Sequence, residues 1–142
     1  MRCLFAMNID NAYIEKIKKF LLEKINPFII YIFGSSVDGV FRQDSDIDIA
    51  FISDKKFSEY ELFIAAQELA DILKREVDLI NLENASTVFK AQVVGKGKVI
   101  YCTDDTRRMY FEMYAFKDYA LLNEERAVIL DGIRQRGSVY GE

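Results

Sequence analysis

Six consecutive apolar residues, Phe28-Ile29-Ile30-Tyr31-Ile32-Phe33, follow directly on Asn26-Pro27. A run this short and apolar at every position suits a buried strand. Upstream, Ile14, Ile17, Leu21 and Ile25 fall at spacings of three and four, which predicts an amphipathic helix from Asn11 to Ile25. Asn26-Pro27 stops it. Downstream, Gly34 to Ser45 is small and polar and reads as a loop. Asp46 to Ser53 then alternates, with Ile47, Ile49 and Phe51 set against Asp46, Asp48 and Ala50, as a second strand does. Ser58-Glu59-Tyr60-Glu61 is a capping-box signature, and an apolar-periodic helix follows to about Glu76. Val77-Asp78-Leu79-Ile80 predicts a third strand, Ser86 to Val94 a short helix ended by Gly95, and Lys98 to Cys102 a fourth strand. From Thr106 to about Arg136 the pattern is helical and long. Strands alternating with helices make the expected fold class α/β.

The chain has 142 residues, 51% of them hydrophobic, with one Pro and seven Gly. That fits one domain over residues 1–142 with a real core, and no repeat, linker or low-complexity segment divides it. No stretch approaches the ~20 apolar residues of a membrane span. Asp10 interrupts the N-terminal apolar residues too soon for a signal-peptide core. A soluble, cytoplasmic protein with no membrane partner is expected.

Histidine is absent. Ser-His-Asp and Cys-His catalysis and His-ligated zinc are therefore excluded for this chain alone. Cys3 and Cys102 are too few for a zinc cluster or a disulfide framework and read as reduced, packed thiols. A net charge of −4 argues against broad binding to nucleic acid, which runs on basic surface. Chemistry must come from carboxylates, hydroxyls, Lys, Arg or Tyr.

The segment from Gly34 to Asp48 is the informative one. On a strand, Asp46 and Asp48 point to one face while Ile47 and Ile49 point into the core. Adjacent carboxylates repel, and folding alone gives no reason to place them so. A divalent cation supplies a reason, and oxygen-only ligands favour Mg²⁺ or Mn²⁺ together with substrate phosphates. A solvated Asp-rich turn is the plain alternative. Gly34-Ser35 follows a buried strand, where glycine lets the backbone approach a phosphate and its N–H groups and the Ser35 hydroxyl can donate. A Walker A loop fails, because Val40-Phe41 follows Gly39 where Lys-Ser/Thr is needed. An EF-hand begun at Asp44 fails at Ile49 and Lys55.

Gly34-Ser35, ten intervening residues, then Asp46-x-Asp48 resembles the signature of the DNA polymerase beta-like nucleotidyltransferases. Ser45 is the small hydroxyl residue common before the first aspartate. Asp78 stands where the third carboxylate of that family lies, on a strand after a helix. The resembling elements cover about residues 27–82, a catalytic core, with a helical region over about 104–136. The resemblance implies a small mixed β-sheet packed with helices. Within the family the chain resembles the minimal nucleotidyltransferases (MNT) that act as antitoxins of HEPN-domain (HepT-like) ribonuclease toxins. Its ending, Arg134-Gln135-Arg136-Gly137-Ser138-Val139-Tyr140-Gly141, resembles theirs as well.

What the resemblance implies is concrete. Asp46, Asp48 and, for one of them, Asp78 would hold two Mg²⁺ ions (or Mn²⁺) about 3.5–4 Å apart, and Asp78 would orient or deprotonate the acceptor hydroxyl. Gly34, Ser35, Ser36 and Ser45 would contact the nucleotide. Relatives often carry a basic residue soon after Gly-Ser, where this chain has Ser36-Val37-Asp38, so Arg42 would reach the phosphates instead. AMP would move from ATP to a hydroxyl, a tyrosine of the cognate HEPN toxin. The alternatives are an antitoxin acting by occlusion alone and an enzyme acting on a small molecule such as an aminoglycoside. Finally, Met109, Tyr110, Phe111, Met113, Tyr114, Phe116 and Tyr119 wrap most of a helix, which predicts burial on several sides or a partner surface.

Overall fold

The computed structural model describes residues 11–34 and 46–139, with side chains as far as residue 135. The expected loop residues Ser35, Ser36, Arg42 and Ser45 lie outside the described residues, as does Tyr140. The elements are α1 (Asn11–Lys24), β1 (Ile29–Phe33), β2 (Ile47–Ile52), α2 (Glu59–Leu73), β3 (Val77–Asn81), a 3₁₀ turn (Leu82–Asn84), α3 (Thr87–Lys96), β4 (Lys98–Cys102) and α4 (Asp105–Val139).

Local chemistry sets the element ends. In α2 the Glu61 N–H donates to Ser58 Oγ at 3.1 Å and the Ser58 N–H to Glu61 Oε1 at 2.8 Å, so the expected capping box closes both ways. The helix ends at Leu73, three residues before Glu76, because Lys74 turns left-handed (φ 59°) and releases the chain into β3. In α3 the Phe89 N–H donates to Ser86 Oγ at 3.1 Å. That helix does not stop at Gly95. It runs to Lys96, and the reason lies at Gly97, where a Cβ would press on the carbonyls of Val93 and Ile32. The backbone passes too close there for a side chain, so the glycine that matters is the second one.

The described strands form one mixed sheet in the order β3-β2-β1-β4, with β2 and β3 parallel and the other two pairs antiparallel. Strand alternation sorts the apolar side chains onto two faces. Ile30, Ile32, Ile47, Ile49, Val77 and Leu79 meet Ile17 and Leu21 of α1 and Leu69 and Leu73 of α2. Ile29, Tyr31, Ala50 and Ile52 turn the other way, toward Val93 of α3 and Phe111 of α4. Every residue of β1 from Ile29 to Ile32 is buried, as its unbroken apolar run requires.

The root of α4 is tied down by polar contacts. The buried Tyr31 hydroxyl donates to Glu112 Oε2 at 2.7 Å, and Arg108 holds the other oxygen of Glu112 at 3.1 Å. Burial first, and then Glu112, push the Tyr31 phenol well above its ordinary range, so it stays a donor. Arg107 pairs with Asp54 at 2.7 Å and lies 4.0 Å over the Phe28 ring. Farther along, α4 leaves the body: Val128 is 73% and Ile129 59% exposed. Among the described residues no helix is long and apolar enough to cross a membrane.

Candidate active site

Three elements converge at one end of the sheet. β1 stops at Phe33, β2 begins at Ile47 and β3 begins at Val77, and the pairing aligns these ends. Asp48 is the register partner of Phe33 on one side and of Asp78 on the other. Partners opposite one another across strands project to the same face, so Asp48 and Asp78 are neighbours above the sheet. Asp46, two residues before Asp48, adds its charge there. The apolar residues between, Ile47 and Ile49, are fully buried against the opposite face and fix the register.

The electrostatics follow from that crowding. Partial burial, a hydrogen bond to Asp78 and the charges of Asp78 and Asp46 push the Asp48 carboxyl from an ordinary 3.8 up to about 6. The protonated Asp48 carboxyl donates to Asp78 and so relieves part of the repulsion.

Gly34 closes the site from the β1 side. Its φ is +75°, the left-handed region, and a Cβ there would overlap Asp48 Oδ2. Only glycine satisfies both conditions. The Gly34 backbone thus lies directly against the carboxylate that Asp78 and Asp46 crowd from the other side. Among the described residues no group of three Asp, Glu, Cys or His is arranged as a ready-made metal cage. The donor set nevertheless suits a hard cation that takes one or two carboxylates from the protein and its remaining oxygens from a substrate's phosphates.

Beside Gly34 lies a feature that sequence reasoning missed. Phe33, Gly34, Phe89, Gln92, Val93 and Lys96 line a cleft of about 220 Å³. The Phe33 and Phe89 rings pack edge to face, with centroids 5.4 Å apart. Lys96 places a cation at this side of the carboxylates. Nothing in the local sequence marks it, because Lys96 reads as an ordinary exposed helix end until α3 packs beside the end of β1.

The chain is similar to known proteins in sequence and in fold. The chain is 36% identical over 120 residues to protein adenylyltransferase MntA of Shewanella oneidensis, a match covering 84% of this chain and 86% of that protein. It superposes on a crystal structure of the toxin–antitoxin MntA–HepT with a TM-score of 0.74 and 33% identity, covering 87% of this chain and 98% of the other. A structure of the toxin–antitoxin with AMP-PNP gives a TM-score of 0.76 and 36% identity, covering 84% and 97%. A third, of a tri-AMPylated Shewanella oneidensis HEPN toxin in complex with MNT antitoxin, gives 0.75 and 33%, covering 88% and 98%. Residues 15–106 match the polymerase beta nucleotidyltransferase family, a span that runs from α1 through Gly34, Asp46, Asp48 and Asp78 to the start of α4. With the mixed sheet and the paired carboxylate strands in place, the chain belongs to the polymerase beta nucleotidyltransferase family.

Proposed function

We propose that this chain is a protein adenylyltransferase, moving AMP from ATP to a tyrosine hydroxyl of a HEPN-domain toxin and thereby acting as its antitoxin. The observation that carries the reading is the register pairing of Asp48 with Asp78, backed by a glycine at φ +75°, in a chain of this family. The relatives bound to a HEPN toxin and to AMP-PNP support the choice of partner and donor.

In the proposed reaction the tyrosine oxygen attacks the α-phosphorus of ATP. A phosphorus–oxygen bond forms, the bond to the departing pyrophosphate breaks, and the hydroxyl proton goes to Asp78. Gly34 lets the donor's phosphates lie against the backbone, with Ser35, Ser36 and Ser45 as hydroxyl donors and Arg42 as the loop cation. Lys96 adds a second positive charge at the cleft beside Gly34. Asp46, Asp48 and Asp78 would hold Mg²⁺, which supplies charge neutralisation for the triphosphate and the leaving group. Because phosphoryl-group transfer is mostly positioning and electrostatics, a chain without histidine suffices. The exposed apolar side chains of α4 suit a docking surface for the toxin. The reading takes the activity to be cytoplasmic, where ATP is at hand as the donor.

Incubating the chain with its HEPN partner, ATP and Mg²⁺ and weighing the intact partner tests the reading. A gain of about 329 Da, or a multiple of it, is the outcome expected for adenylyl transfer. A tight complex with no mass gain would replace it with neutralisation by occlusion.

A further inference from the structure

A second depression reaches Asp78 from the side away from Gly34. It has a volume of about 400 Å³ and runs between α2 and the edge strand β3. Leu62, Phe63 and Ala66 give its lining apolar surface, Glu59 and Glu76 give it carboxylates, and Asp78 belongs to the same lining. Phe63 is 58% exposed, a large ring with little to cover it. The described residues lining the groove include no Lys or Arg. Arg75, next to Glu76 in sequence, is turned over the Tyr13 ring.

The strand beside the groove has an open edge. The Ile47 N–H donates to the Glu76 carbonyl at 2.9 Å, which fixes the alternation of the parallel ladder. Val77 and Leu79 therefore direct their backbone N–H and C=O groups outward, and among the described residues no strand pairs with that side of β3. An edge of this kind next to an apolar trough suits an extended polypeptide.

Charge divides the two sides. Lys96 and the bare Gly34 backbone mark the cleft at β1 as the place for a polyanion. Glu59, Glu76 and Asp78 repel a triphosphate from the groove at β3 and attract a cation. Resting on the adenylyltransferase reading, we infer that the groove between α2 and β3 receives the acceptor segment of the partner protein, an extended stretch in which basic residues flank the hydroxyl-bearing side chain. Its apolar side chain sits on Phe63 and Leu62, its basic residues face Glu59 and Glu76, and its hydroxyl arrives at Asp78. The donor and acceptor then reach the carboxylates from opposite sides, the arrangement that displacement at phosphorus with attacking and leaving oxygens in line demands.

The test is a charge reversal in the groove lining, Glu59→Lys with Glu76→Lys, beside Phe63→Ala. Initial rates of transfer are read against the concentration of the HEPN partner, and the Kd for AMP-PNP is measured in parallel. The expected result is a rise of about tenfold or more in KM for the partner in each variant, with kcat within about twofold of wild type. The Kd for AMP-PNP stays unchanged. Unaltered KM in both variants overturns the proposal. So does a weakened Kd for AMP-PNP with normal partner KM, which would assign the groove to the nucleotide, or a changed oligomeric state, which would assign it to a second copy. If the wild-type chain transfers nothing, the enzymatic reading has failed by itself. The partner's Kd for the wild-type chain and for the variants then decides whether the groove binds the partner at all.

Discussion

The carboxylate end of the sheet and the outer half of α4 both expose groups that cost the isolated chain stability, and they do so by different physics. At the sheet end the cost is Coulombic. Asp48 is held against Asp78 by strand register, and the buried Ile47 and Ile49 prevent the strand from slipping away. Along α4 the cost is hydration of apolar surface: Val128, Ile129, Leu130 and Ile133 are each more than half exposed. The first group sits on a backbone that cannot yield, which is what a site needs when its task is to hold charges in place. The second extends from the body on a single helix, and the sheet does not support it. The contrast teaches that the two regions suit different complements, which on the proposed reading are a cation with phosphates in one case and a protein surface in the other.

The largest effect that would break this contrast is expected at Asp48. Asp48→Asn removes one of the crowded charges, and transfer should fall by about 10²–10³-fold or more. The melting temperature should hold or rise. A variant that loses activity because it unfolds would show that the carboxylates support the fold. Next comes Gly34→Ala. The left-handed backbone costs an L-residue about 1–2 kcal/mol, and the new methyl displaces the Asp48 carboxylate. Both the melting temperature and the transfer rate should drop, which separates this variant from Asp48→Asn.

On the other side of the comparison, Val128→Glu with Ile129→Glu should leave the isolated chain's stability within about 0.5 kcal/mol, as exposed substitutions do. The Kd for the HEPN partner should weaken by about tenfold or more. A fall in the melting temperature of the isolated chain would mean that this stretch of α4 packs on the body after all. The smallest effect is a pH dependence. Folding raises the Asp48 pKa from 3.8 to about 6, so between these values the folded chain binds more protons than the unfolded one. That group's contribution is therefore greatest at the acid end and is lost as pH rises through about 6. Without divalent cations, the melting-temperature advantage of Asp48→Asn over wild type should widen between about pH 5 and about pH 7. An equal difference at all pH values would sink the assignment of the shift to Asp48.

How much of this was legible beforehand depended on whether the information was local. The unbroken run from Phe28 to Phe33 and the alternation from Asp46 to Ser53 gave strands within a residue or two of their observed ends. The pattern Gly34-Ser35 to Asp46-x-Asp48, with Asp78 later, singled out Gly34, Asp46, Asp48 and Asp78, which the structure brings to one sheet end. Ser35, Ser36, Arg42 and Ser45 lie outside the described residues. The end of α3 was misjudged because Gly95 and Gly97 look alike in sequence. Only the approach of the Ile32 carbonyl, set by tertiary packing, distinguishes them. The strand order, the Lys96 cleft and the groove at β3 were illegible for the same reason, since each needs elements distant in sequence to meet. On α4, the aromatic residues encircling the helix gave no single stripe. In the structure Phe111 and Ala115 face the body, whereas Met109, Tyr110, Met113 and Tyr114 are at least half exposed.

The polar clamp at the root of α4 has a mechanical consequence. At 1.5 Å per residue, a helix of 35 residues is about 52 Å long. Its anchorage lies near one end, where Tyr31 from the middle of β1 grips Glu112 and Arg108 braces that carboxylate. A rod held near its base converts angle into displacement, so a tilt of about 5° at the clamp carries the far tip through about 4 Å. Tyr31 also stands only three residues from Gly34 along a buried strand. One phenol in the centre of the sheet therefore sets the aim of the rod and shares its strand with the backbone that lines the catalytic edge.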